Sequence, residues 1–123
     1  MAYRWSGGAL LVSQTCVRDL EIKELYITEN GASSNDVITA DGEVYDADRV
    51  MYLRNYLTPL HRAIAEGAPV KGYYRWSLLD NYELADGYEK RFRINYVDFK
   101  TQKRTPKLSA KFYKQVLAEN RVS

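Results

Sequence analysis

Leu25-Tyr26-Ile27-Thr28-Glu29-Asn30-Gly31 is the stretch on which the reading of this chain turns. It begins as a short run of strand formers and sets a carboxylate immediately before an Asn-Gly turn signal. Leu25, Ile27 and Glu29 share one parity and Tyr26 and Thr28 the other. Strict alternation therefore puts Glu29 on the apolar side of the strand, at its last residue. One reading is an exposed glutamate at a strand end. The other is a carboxylate held on a rigid strand and presented to a pocket at the strand's C-terminal edge.

The segments downstream supply the frame. Over residues 47 to 66, Val50, Leu53, Leu57, Leu60 and Ile64 recur at three- and four-residue steps, the stripe of a one-faced helix. Asp46 or Asp48 suits its start, Gly67 and Pro69 its end, and Pro59 inside it predicts a kink. Residues 70 to 79 read as a second strand. Strand, loop, helix and strand in that order make a βαβ unit and imply a parallel sheet, whose sites lie beyond the carboxyl ends of its strands. The loop from Asp80 to Tyr88 is thus a second candidate site segment. Residues 92 to 99 predict a short strand and Lys100 to Arg104 a turn. A helix is expected over 106 to 119, started by Thr105-Pro106, with Leu108, Phe112 and Val116 docking on the sheet. Upstream, residues 9 to 20 read as a helix. Gly31 to Gly42 reads as a polar loop in which Ser33, Ser34, Asn35 and Asp36 are turn and cap residues.

Composition narrows the classes. At 123 residues the chain is one small domain or a piece of a larger one. A net charge of +2 is too small to argue for nucleic acid or a membrane surface. The basic stretch from Lys90 to Lys114 lacks the interleaved aromatics of a base-stacking surface and reads as a solvated face. With Cys16 and His61 the only residues of their kinds, neither a disulfide nor a zinc cluster is expected, and no other cofactor is called for. The run Ala9-Leu10-Leu11-Val12 is too short for a signal-peptide core or a membrane span, so the expected location is cytoplasmic.

The second strand ends in Trp76-Ser77-Leu78-Leu79-Asp80-Asn81-Tyr82-Glu83. A Trp, a Tyr and a Glu near a strand end suit a sugar: rings cover the apolar faces of a pyranose, and a carboxylate accepts hydrogen bonds from its hydroxyls. Ile27-Thr28-Glu29-Asn30-Gly31, then Asp46 with Arg49, then this segment, Gly87-Tyr88 with Arg91-Phe92, and Tyr96-Val97-Asp98-Phe99 together resemble glycoside hydrolase family 1. The resemblance runs from about residue 22 to 118 of the single domain spanning 1 to 123. It implies an α/β fold, the C-terminal part (about the last two βα units) of a (β/α)₈ TIM barrel, and retaining hydrolysis of β-glycosides such as β-glucosides.

By that resemblance Glu29 is the catalytic nucleophile, Trp76 the platform behind the sugar, Glu83 the acceptor of sugar hydroxyls, and Phe92 an aromatic near the exocyclic carbon. Leu84 stands where the family usually has a second Trp, Arg93 where Gly is usual, and Tyr56 where His is common. Leu84 cannot donate an indole N–H bond, and the cationic chain of Arg93 is expected to crowd the pocket aromatic. The family's acid/base glutamate, carried in an Asn-Glu-Pro motif on an earlier strand, has no counterpart here. A complete barrel takes roughly 250 residues. The expectation is therefore a nucleophile-bearing part that is inactive alone. Its partners would be a β-glycoside and either the missing barrel strands or further copies of itself. The alternatives are a non-catalytic fragment and a sugar binder using Trp76, Tyr82 and Glu83.

Overall fold

The computed structural model describes residues 21 to 122. The helix expected over residues 9 to 20 lies outside them. The order is β1 (Leu25–Asn30), α1 (Ala47–Ala65), β2 (Val70–Arg75), β3 (Asn95–Val97), β4 (Arg104–Pro106) and α2 (Leu108–Glu119). Strands β1 and β2 pair in parallel, as a βαβ unit requires. Strands β3 and β4 form a separate antiparallel pair, with Tyr96 opposite Thr105. The second strand ends at Arg75 rather than at residue 79. Beyond it Ser77 and Leu78 leave the β1 ladder: their carbonyls accept from the amides of Ile94 (3.2 Å) and Asn95 (3.1 Å).

The two helices pack on each other and on one face of the parallel pair. Leu53 and Leu57 of α1 meet Phe112 and Val116 of α2, with Tyr73 of β2 and Val50, Leu60 and Tyr113 around them. The apolar stripe of α1 therefore lies where its spacing put it, except that Ile64 is exposed while Arg49 and Ala63 are buried. α1 is continuous across Pro59. Gly67, at φ 98°, ends it in the left-handed conformation that glycine adopts without a Cβ clash.

One expectation about helix starts is corrected. Thr105 and Pro106 belong to β4, and Lys107 precedes the first turn of α2. A strand reaching to Pro106 leaves no room for a helix beginning there. At the start of α1, Asp46 is the capping position but its side chain makes no cap bond there, while Asp48 Oδ1 accepts the Arg49 amide (2.9 Å). Asp46 Oδ1 instead accepts the Ser109 amide in the first turn of α2 (2.8 Å), and its Oδ2 pairs with Arg49. One carboxylate thus ties the two helix starts together.

Around Asp46 lies a buried charge network. The Arg49 guanidinium grips Asp36 with both terminal nitrogens (3.0 and 2.9 Å) and donates to the backbone carbonyls of Ala32 and Arg91. Lys107 Nζ donates to Asp36 (2.6 Å), Asp80 (3.0 Å) and the Arg93 carbonyl (2.6 Å). Asp80 in turn pairs with Arg91 (2.6 Å). Burial pulls both cations down. For Arg49, hydrogen bonding and charge from Asp36, then Asp46, reverse this and hold it above its ordinary value; Lys107 stays below its own. Asp36 is therefore not a turn residue: its side chain is fully buried as the anion shared by Arg49 and Lys107. The network fixes the loop after β1, the segment after β2 and the start of α2 in one place.

Candidate active site

The site forms at the C-terminal ends of β1 and β2. Their pairing slips between Ile27 and Asn30, where three steps along β1 answer two along β2. Ile27 and its partner Tyr73 face the helices. After the slip Asn30 does too, its Oδ1 accepting the Tyr73 hydroxyl at 2.7 Å. Its neighbour Glu29 is exposed, on the face that carries no helix. Strict alternation had put Glu29 on the apolar side at the strand's final residue. The slip removes it from that side, and the strand runs one residue further.

Trp76 begins where β2 ends. Its amide donates to the Asn30 carbonyl at 2.9 Å, which sets it beside the end of β1. Gly31 is pressed against it: a Cβ there would lie 2.3 Å from the Trp76 carbonyl oxygen. The Asn30-Gly31 pair is thus not the turn its composition suggested; glycine is needed for close approach. The Trp76–Ser77 bond is cis. Arg75 reaches forward to the Phe92 carbonyl (2.7 Å) and steadies that segment, while burial and then the nearby Arg49 charge pull its guanidinium down to about 10.

Glu83 is held by a tight hairpin. Its amide donates to the Gly87 carbonyl (2.8 Å), and its carbonyl accepts the Gly87 amide (2.7 Å). Trp76, Glu83 and Phe92 do converge, and the point on which they converge is Arg93. That side chain is 2% exposed and forms an ion pair with Glu83. Its guanidinium carbon stands 5.4 Å from the centre of the Trp76 ring and 6.0 Å from that of Phe92, and its Nε donates to Ser77 Oγ at 2.9 Å. Burial holds Arg93 below its ordinary pKa.

Tyr82 stands apart from this group, edge-on to Tyr88 at 5.3 Å, and Leu84 is 97% exposed. Ser77 was not singled out from sequence; a small hydroxyl after a Trp carries no signal until Arg93 is seen against it. Asp80 and Arg91, which stood in the motif beside the binding residues, are structural. Arg91 lies over the rings of Tyr96 (4.0 Å) and Phe99 (4.6 Å) while holding Asp80.

Adjacent parallel strands with a carboxylate and an indole at their C-terminal ends, and helices packed on the other face, have the arrangement of part of a (β/α)₈ TIM barrel. The model of glycosyl hydrolase family 1 matches residues 8 to 122, and the chain belongs to that family. It is similar to β-glucosidase A of Thermotoga maritima, at 53% identity over 97 residues, and to a 1,4-β-D-glucan glucohydrolase of Thermotoga neapolitana, at 52% over 98. It is also 52% identical over 94 residues to a 6-phospho-β-galactosidase of Leptotrichia buccalis. The two Thermotoga matches cover 79% and 80% of this chain but 22% of each relative. The Leptotrichia match covers 76% of this chain and 20% of that protein. In structure, the family 1 β-glucosidase of T. maritima in complex with isofagomine lactam superposes with a TM-score of 0.92 at 44% identity. That match covers 96% of this chain and 27% of the other. The fold is therefore that of part of the barrel.

Proposed function

We propose that this chain is the nucleophile-bearing part of a retaining β-glycosidase of the β-glucosidase type, comprising the barrel's last two βα units, β1-α1 and β2-α2. Glu29 attacks the anomeric carbon and forms the glycosyl-enzyme. Trp76 backs the pyranose, Glu83 accepts its hydroxyls, and Phe92 lies near the exocyclic carbon. The observation that carries this reading is the joining of Trp76 to the end of β1 through the Asn30 carbonyl, in a chain so close in sequence and backbone to a β-glucosidase.

Retaining hydrolysis also takes a second carboxyl about 5–5.5 Å from the nucleophile to protonate the leaving oxygen. None of the three prolines, Pro59, Pro69 and Pro106, follows an Asn-Glu pair, so the expected acid/base motif is not in this sequence. General acid assistance contributes roughly 10²–10⁴-fold. Alkyl glycosides should accordingly survive the isolated chain, while an aryl glycoside with a good leaving group is the substrate most able to react. The test is trapping with an activated 2-fluoro-β-glucoside followed by peptide mapping. The expected adduct is on Glu29 and is lost in Glu29→Gln; an adduct elsewhere, or none with the barrel's remaining strands supplied, overturns the assignment.

A second reading, a non-catalytic piece that associates through its open face, is favoured by one observation. Tyr26 and Tyr74 on the two strands are 48% and 58% exposed, and Leu78 just beyond them 63%.

A further inference from the structure

The geometry points to Arg93 as a specificity-determining residue that occupies the Glu83 carboxylate and covers the Trp76 ring in the place of a neutral pyranose. The inference rests on the sugar-site reading above and deepens it. Three of the groups around Arg93 are those assigned to the sugar: Glu83 pairs with it, Trp76 and Phe92 flank it, and Ser77 Oγ fixes its Nε. Only 2% of the side chain is exposed, so this is a settled position rather than a surface excursion.

A carboxylate paired with a guanidinium already has its charge balanced by a full positive charge. A sugar hydroxyl is a neutral and weaker donor, and to reach Glu83 it must break that pair. The indole is compromised in the same way, since a guanidinium lying over a ring occupies one of the two faces on which a pyranose could stack. Leu84, turned out to solvent, adds no indole N–H to offset this. The consequence is discrimination against neutral glucosides, relieved by removing the Arg93 side chain.

The experiment titrates the full chain with glucose and follows Trp76 emission in a Trp5→Phe background, which leaves one indole of the two in the sequence. Arg93→Gly is expected to bind glucose about tenfold more tightly or better than the chain with Arg93, since the sugar then has no buried ion pair to break. Arg93→Lys, which keeps a cation near Glu83, is expected to stay weak. Equal affinity in Arg93→Gly and the parent overturns the proposal. So does glucose 6-phosphate binding to the parent and not to Arg93→Gly, which would make Arg93 a ligand for an anionic substituent.

A second measurement separates this proposal from the reading beneath it. Residues 22 to 118 are exchanged into full-length T. maritima β-glucosidase, which brings its own remaining strands, with Arg93 or with Arg93→Gly. A lower KM for an aryl β-glucoside in the Arg93→Gly chimera, with little change in kcat, supports the proposal. Equal KM values sink the blocking role while leaving the sugar site standing. Two folded but inactive chimeras bring down both.

Discussion

Glu29 and Gly31 show how far a single residue could be understood from its neighbours in sequence. That a glutamate stands near the end of the first strand was legible, though the strand runs on to Asn30. The face it occupies was not, because one slip in pairing between Ile27 and Asn30 overrides alternation. Gly31 was taken as half of a turn. Its real constraint is the Trp76 carbonyl, and sequence cannot separate the two since both demand glycine. Gly31→Ala should therefore force the main chain to move where it supports Trp76. The expected outcome is a loss of about 1–3 kcal/mol in urea unfolding with a shift of Trp76 emission. An unchanged midpoint and spectrum would show that the contact is slack.

The helices are stable as a pair rather than singly, and the elements meet at buried charges. Asp46 accepts the Ser109 amide at the start of α2 and pairs with Arg49 of α1. Asp46→Ala should cost about 3–5 kcal/mol by leaving Arg49 buried without that partner and α2 uncapped. Asp46→Asn, which still accepts the Ser109 amide, should cost less; urea unfolding of the two variants checks the order. Between α1 and β2 the tyrosines report the same packing. Burial, and then Tyr56, push the Tyr52 hydroxyl up to about 12, against 10.0 for a free tyrosine. A folded pKa raised above the unfolded one gives stability that is whole below pH 10 and is lost as pH rises through about 12. Spectrophotometric titration should thus show fewer tyrosinates in the folded than in the urea-unfolded chain between those pH values. Tyr52→Phe should shrink that difference; coincident curves would contradict the burial of this layer.

At the scale of the molecule, helices cover one face of a two-stranded parallel sheet, and the edge of β2 away from β1 has no strand beside it among the described residues. Open edges and exposed rings favour association. Sedimentation should accordingly show a mass that grows with concentration. Mixing with the remaining strands of a family 1 barrel should suppress that growth and sharpen thermal unfolding. A chain that stays monomeric at all concentrations and melts in one steep transition would count against an unsatisfied face. The βαβ order, the α1 stripe and the family were legible because periodicity and motif spacing are local. The antiparallel β3–β4 pair and the charge network were not, because they join residues far apart in sequence, as Lys107 joins Asp36.

By itself the sequence determined the parallel strand pair, the helix that crosses between its strands, and the family. The first two follow from a repeat of two or of 3.6 residues, and the family from the resemblance of the motifs quoted above. Only the tertiary structure decided which way Glu29 faces, why residue 31 is glycine, and what Glu83 holds. These depend on a slipped register, a backbone contact between two strand ends, and a guanidinium folded back over the indole of Trp76. The resemblance could mark Arg93 as out of place; only the assembled structure shows it buried and paired with Glu83.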